Sequence, residues 1–326
     1  MSAIRAINLK KSFRIVEKDP GLAGTFRAFI KPKYKLVEAV KGISFDIQPG
    51  ELVGFLGPNG AGKTTTLKML SGVLYPTEGK SDVLGFDPIK RKPELLSQIS
   101  LVMGNKQQLW WDLPAQDGLR VIKELYGVSD AEFKVRLEEL AELLEVKDKL
   151  ATQVRRLSLG ERMKCELIAA LLYKPKVIFL DEPTLGLDLM SQTRIREFLK
   201  RVNQVEGSTL VLTSHYMQDV EQLCERVIII DHGSVVYDGS LKTLIQEYSS
   251  SKRLRISFAR EIEKSDLSQF GIVIEHALDH AIIEVAANDI ARATSSLLQT
   301  LPITDLNITE VPIEEVISSM FKPVSK

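Results

Sequence analysis

Residues 53–72, VGFLGPNGAGKTTTLKMLSG, limit what this chain can fold into more than any other stretch. An apolar run leads in and helix formers lead out. Between them, Gly57-Pro58-Asn59-Gly60-Ala61-Gly62-Lys63-Thr64 fits the pattern G-x-x-x-x-G-K-[ST]. Glycines let the backbone turn so that consecutive N–H groups point inward and cradle an anion. The following helix adds the partial positive charge of its N-terminus. Lys63 is expected to reach the β- and γ-phosphates of a nucleotide and the Thr64 hydroxyl to ligate Mg2+. Thr65 is expected to donate near the α-phosphate.

A strand–loop–helix unit of this kind needs a parallel sheet, and the chain supplies one. ELVGFLG, VIFLDEP, TLVLTSH and RVIIIDHG are near-continuous apolar runs, as in strands buried on both faces. Amphipathic stretches at 130–146 and 191–205 alternate with them, which argues α/β. Two earlier segments, AIRAINLKKSF and VEAVKGISFDIQPGE, alternate apolar and polar residues like half-exposed antiparallel strands. Residues 17–35 between them read as an inserted loop or short helix, basic and aromatic at once. It is either a solvated loop or a contact for a partner or lipid headgroups.

After about residue 250 the pattern changes. RLRISFA, GIVIEHA, AIIEVAA and ITDLNIT read as strands, with HALDHA as a turn. Asn288 is a candidate N-cap for a helix, and IEEVISSMF a final helix after Pro312. The expectation is a small α+β domain at 253–326 in the order β-α-β-β-α-β, joined by a linker at 241–252 to a domain spanning 1–240. His276 and His280 flank the expected turn and read as solvated.

Composition removes several classes. Lys+Arg and Asp+Glu balance at 43 each, so nothing in the net charge favours nucleic acid. The two cysteines, Cys165 and Cys224, lack C-x-x-C spacing and read as reduced thiols rather than a disulfide framework or zinc site. No apolar run approaches the ~18 residues of a membrane span, and the N-terminus does not read as a signal peptide.

The remaining chemistry lies at strand ends. Asp181 closes KVIFLDEP, where it can hold the hydration shell of Mg2+. Glu182 follows, placed to polarise water at the γ-phosphate. His215, at the end of TLVLTSH, can point into the ligand crevice and orient that water.

These pieces, in this order, resemble an ATP-binding cassette (ABC) ATPase over residues 3–240. The diagnostic segment is RRLSLGERMKCELIAALL at 155–172, similar to the family's LSGGQ signature and its helix. Leu159 stands for a glycine and Glu161 for a glutamine, while Ser158 and Gly160 are kept. The resemblance implies a P-loop NTPase core with an antiparallel β subdomain and a helical subdomain at about 106–165. It implies two chains paired head-to-tail, each ATP lying between one chain's phosphate loop and the other's signature loop. It also implies adenine stacking by Phe13 and a link between the two active sites through Leu187 and Asp188. One departure concerns the glutamine that senses Mg2+ and the γ-phosphate. Asn105 occupies that position, with Gln107 and Gln108 as alternatives. Trp110 and Trp111 belong either to the core or to a groove for a membrane partner.

The function this implies is an ATP-hydrolysing transporter subunit, working on separate permease subunits at the cytoplasmic face of a membrane as a homodimer or heterodimer. Export is favoured over import by the short tail. ATPases of DNA repair or translation are disfavoured: there is one cassette, no heptad run and no zinc insertion, and no nucleic-acid partner is expected.

Overall fold

The computed structural model describes residues 2–17, 33–104, 107–214, 216–248 and 251–321. It divides into two compact units, residues 1–239 and 240–326.

In the first unit, β1 (Ile4–Glu17) and β2 (Lys33–Ile47) form a long antiparallel hairpin, and β3 (Leu52–Leu56) leads into helix α1 (Lys63–Leu70). β4 (Glu78–Val83) joins β1, completing a three-stranded sheet ordered β2-β1-β4. The remaining strands are β5 (Ile99–Met103), β6 (Val177–Asp181), β7 (Thr209–Thr213), β8 (Arg226–Asp231) and β9 (Ser234–Ser240). With β3 they form a six-stranded sheet ordered β5-β6-β7-β3-β8-β9, parallel from β5 through β8.

Every residue of β6 and β7 is buried, which is why their sequences are continuous apolar runs. Phe55, Phe179, Val211, Ile228 and Leu67 join one core with the antiparallel sheet's Ile4, Leu9, Ile43 and Ile47. Crevices in such sheets open at the carboxyl ends of the strands. Here those ends bring Gly57, Asp181 and Ser214 to one edge of the sheet.

Helix α2 (Ala115–Tyr126) and helix α3 (Asp130–Leu143) come between β5 and the signature segment. Helix α4 (Leu159–Leu171) buries Leu167, Ile168, Ala169, Ala170 and Leu171. Helix α5 (Leu189–Glu206) and helix α6 (Met217–Leu223) follow β6 and β7.

The second unit begins with helix α7 (Leu241–Tyr248). Of residues 241–252, read as a linker, the described ones are instead this helix and the start of β10 (Ser251–Phe258), and the helix buries Leu241 and Leu244. β11 (Ile272–His276), β12 (His280–Ala286) and β13 (Ile303–Glu310) complete an antiparallel sheet ordered β11-β12-β10-β13. Helix α8 (Ile290–Thr300) and helix α9 (Ile313–Phe321) sit in the order the sequence indicates. A short helix at Lys264–Leu267 supplies the first α of β-α-β-β-α-β. The α8 N-cap is Asp289 rather than Asn288, because a 3-10 turn over Ala287–Asp289 delays the helix. Leu254, Ile256, Ile283 and Leu297 form this unit's own core.

The 17–35 insertion is shorter than the sequence suggests: β1 runs to Glu17 and β2 starts at Lys33, leaving residues 18–32 outside the described part.

Candidate functional site

Two glycines of the phosphate loop cannot be replaced without a clash. Gly57, at φ +145°, would put a Cβ 2.0 Å from the Ile230 carbonyl oxygen. Gly62, at φ +108°, would put one 2.5 Å from the Ala39 oxygen. Both φ values are closed to most L side chains. The loop therefore lies tight between β2 and the end of β8. Asn59 and Gly60 are exposed at its crest, while Ala61 is buried and its carbonyl accepts from Gly233.

Gly62 caps α1 with no side chain, so the helix N-terminus is left open to an anion. Lys63 is buried, and its Nζ donates to the carbonyls of Gly57 (2.6 Å) and Pro58 (3.1 Å). Burial draws its ammonium below the usual lysine range, opposed by the carboxylates of Glu182 and Asp181. Thr64 and Thr65 are half-buried at the start of α1.

Across from the loop, Asp181 at the end of β6 gathers three hydroxyl contacts. Thr64 Oγ1 lies 3.0 and 2.9 Å from its two carboxylate oxygens, and Thr213 Oγ1 donates to Oδ1 at 2.8 Å. Thr213, on the neighbouring strand, also accepts from the Glu182 backbone N–H through both its hydroxyl and its carbonyl. Glu182 itself adopts φ +56°, an uncommon conformation for a side chain with a Cβ. Gly104 completes the packing, since a Cβ there would lie 2.7 Å from the Glu182 carbonyl oxygen.

A second cluster was not anticipated from the sequence. Asp219 in α6 is fully buried. Its Oδ2 accepts from Thr184 Oγ1 (2.5 Å) and Ser214 Oγ (2.6 Å), and its Oδ1 from Arg196 of α5 (2.9 Å). It thus ties the segment two residues beyond Glu182 to the residue preceding His215. Glu166 in α4 acts similarly for another loop, accepting from the backbone N–H groups of Gln108 (2.9 Å) and Leu109 (3.3 Å). Burial pushes its carboxyl above the usual range. The signal for Glu166 is an acid set directly against the apolar run Leu167–Leu172; nothing in the sequence marks Asp219.

The signature segment starts α4. Ser158 is its N-cap and forms a capping box with Glu161: Ser158 N donates to Oε2 (2.9 Å), and Glu161 N donates to Ser158 Oγ (3.2 Å). A glutamate in the family's glutamine position therefore keeps the cap. Gly160 packs so closely on α5 that a Cβ would lie 2.5 Å from Ser191 Oγ. Ser191 is held by Asp188, the N-cap of α5, which accepts from its N–H (2.9 Å) and its hydroxyl (2.7 Å). Those donors hold the Asp188 carboxyl below its usual range. Ser158 and Leu159 face solvent. Among the described residues, no hydrogen bond joins 158–161 to 57–65.

Phe13 lies on the hairpin opposite Val37, two residues from the Ala39 that contacts Gly62, and is 36% exposed. Lys11 Nζ lies 5.2 Å from its ring centroid. Gln107 is exposed, whereas the Gln108 amide turns towards the Leu101 carbonyl (3.4 Å). Trp110 and Trp111 are 47% and 45% exposed, so they do not belong to the core. Asn105 and His215 fall outside the described residues. Both cysteines are buried and free, the Cys165 thiol pushed up to about 12 by burial.

A glycine-lined anion cradle at the end of β3, facing an acidic strand end across a parallel sheet, defines a P-loop nucleotide-binding cassette. Comparison with known proteins narrows this. The ABC transporter family model matches residues 40–185, and that of the EvrA-like ABC transporter C-terminal domain matches residues 250–309. The chain is 38% identical over 218 residues to the ABC transporter ATP-binding protein NatA of Bacillus subtilis, covering 67% of this chain and 88% of that relative. It is 32% identical over 291 residues to the linearmycin resistance ATP-binding protein LnrL of the same organism, covering 88% and 93%. It is 35% identical over 217 residues to the Nod factor export ATP-binding protein I of Burkholderia thailandensis, covering 67% and 71%. In fold it matches an ATP-binding subunit of an ABC transporter, with TM-score 0.63 and 23% identity over 76% of this chain and 93% of that one. A dimeric ATP-binding cassette in a post-hydrolysis state, bound to ADP and Pi, matches with TM-score 0.60 and 24% identity over 73% and 98%. The chain belongs to the ABC transporter ATPase family, as an ATP-binding subunit. No helix among the described residues is long and apolar enough to cross a membrane.

Proposed function

We propose that this chain is the energising ATPase of an export-type ABC transporter. It acts peripherally at the cytoplasmic face of a membrane on separate permease subunits, and it closes on a second cassette, either its own copy or a relative. The single observation that carries the catalytic part is the Thr64–Asp181–Thr213 constellation facing the phosphate loop.

That constellation suits Mg2+. The Thr64 hydroxyl and the Asp181 carboxylate are hard oxygen donors held about 3 Å apart, and Mg2+ is commonly bound by one or two carboxylates plus substrate phosphates. When bound there, Mg2+ would neutralise charge on the β- and γ-phosphate oxygens. Thr64 would hold it directly and Asp181 through its hydration shell, with Thr213 fixing the Asp181 rotamer. Lys63 would exchange the Gly57 and Pro58 carbonyls for phosphate oxygens. The N–H groups of Gly60 and of residues 62–65 would complete the cradle, that of Ala61 being taken by the Pro58 carbonyl. Glu182, its backbone fixed by Thr213, would polarise the attacking water, with His215 orienting it and Asn105 in the sensing position.

Closure on a second cassette is supported by the solvent-facing Ser158 and Leu159 and by the absence, among the described residues, of hydrogen bonds from that segment to the chain's own phosphate loop. In that arrangement Ser158, Gly160 and Glu161 would meet the partner's nucleotide, with Asp188 beside them and Phe13 stacking on adenine. Export is supported by relatives named for linearmycin resistance and Nod factor export, the former matching 88% of this chain. The exposed Trp110 and Trp111 suit a permease contact.

The test is Glu182→Gln. Hydrolysis should fall by about 10²–10⁴ while ATP binding persists, and size-exclusion chromatography with ATP should show a trapped dimer. A variant that hydrolyses normally, or stays monomeric with ATP bound, would overturn this reading.

A further inference from the structure

The β1–β2 hairpin outruns its sheet. β4 pairs with β1 only as far as Lys10, opposite Glu78, while β1 and β2 stay paired out to Glu17 and Lys33. The outer half is thus a two-stranded ribbon, which is marginal in water unless something covers a face. Directly opposed residues share a face. One face carries Phe13 with Val37 and Ile15 with Lys35; the other carries Arg14 with Leu36 and Val16 with Tyr34. The first contains the residue read as the adenine contact. The second has no part in the nucleotide site, yet Leu36 is 60% and Tyr34 62% exposed. Arg14 is also exposed and makes no ion pair among the described residues.

We propose that this second face, formed by Arg14, Val16, Tyr34 and Leu36, seats on anionic lipid headgroups. Residues 10–35 hold eight Lys and Arg against two Asp and Glu, within a chain whose total balance is zero. Among the described residues Lys10 is paired with Glu78 and Lys35 lies on the opposite face, so Arg14 is this face's own cation and the ribbon's other positive charge acts from further off. Basic charge attracts an anionic leaflet. A tyrosine has the apolar body and polar tip that suit the boundary between headgroup and acyl chain, and arginine buries its stem while its guanidinium meets phosphate. The exposed aliphatic side chain supplies the apolar contact. The inference goes beyond the transport reading, and its vesicle assay needs no permease.

The full-length protein is floated with vesicles of phosphatidylcholine alone and of phosphatidylcholine with phosphatidylglycerol, at low and high salt. Wild type should bind the anionic vesicles preferentially and lose most of that binding at about 1 M salt, where charges are screened beyond roughly 3 Å. Arg14→Gln should weaken anionic-vesicle binding about 5-fold. Tyr34→Ser with Leu36→Ser should weaken it by about 10-fold or more. Basal ATP hydrolysis should be unchanged in both, and if the double variant misfolds the exposed Arg14→Gln decides alone. Wild type that ignores anionic vesicles, or variants that bind as wild type does, would overturn the proposal. Loss of permease association by these variants without any vesicle binding would overturn it too, in favour of a protein contact.

Discussion

Replacing Asp219 with alanine should cost more than any other single truncation near the site, though the residue touches no phosphate. Its carboxylate is fully buried and accepts from Arg196 at 2.9 Å, Thr184 at 2.5 Å and Ser214 at 2.6 Å. Alanine leaves Arg196, 5% exposed, with only the Thr193 hydroxyl at 3.0 Å. Stranding one partner of a buried ion pair costs about 3–5 kcal/mol, and the orphaned Thr184 hydroxyl adds about 1 kcal/mol, while the Ser214 hydroxyl keeps the Tyr216 carbonyl at 3.2 Å. For a unit of this size each kcal/mol lowers Tm by about 2–4 °C, so the expected drop is roughly 8–24 °C. Differential scanning calorimetry of the full chain reads it. The double variant Asp219→Leu with Arg196→Met, which removes both charges, should recover much of the loss. A drop of under about 3 °C for Asp219→Ala, or a double variant worse than the single, would refute the reasoning.

Other outcomes follow from the same geometry. Lys63→Ala should abolish measurable ATP binding in calorimetric titration, since its ammonium is the only side-chain cation the loop presents. Gly160→Ala should cost about 1–3 kcal/mol by forcing Ser191 away from a Cβ 2.5 Å distant; Ser191→Gly should restore part of it in urea melts. Glu161 is held below its usual range chiefly by the Ser158 N–H. A depressed carboxyl contributes stability that is present above its unfolded value and lost as pH falls through the folded one. Wild type should therefore lose stability below about pH 4.5 more steeply than Glu161→Gln, whose amide keeps the cap but does not titrate in that range.

What could be read from the sequence was local. VIFLD and TLVLT announce buried strands because burial on both faces leaves no polar position. The phosphate loop announces itself because its glycines answer to two particular carbonyls, of Ile230 and Ala39. The hairpin's full reach is not legible because its outer half carries Ile15, Tyr34 and Leu36 in the open, so no inside–outside alternation marks it as sheet. Leu241–Tyr248 reads as part of a linker because the serines after it dominate the pattern, although Leu241 and Leu244 share a buried stripe. Asp219 was invisible because its partners lie 5, 23 and 35 residues away, and only the fold brings them together.

Lys63 offers a last consequence. Its ammonium rests on the Gly57 and Pro58 carbonyls, 2.6 and 3.1 Å away, and so props its own loop in shape. The cradle is propped by a tenant that any incoming ligand must evict. Adenosine, with no charged tail, brings nothing to coax that tenant out, whereas a triphosphate supplies oxygens of greater negative charge than the amide carbonyls it displaces. Selection among nucleotides would thus begin before the base is recognised, at the strength of an internal bond that must be traded away.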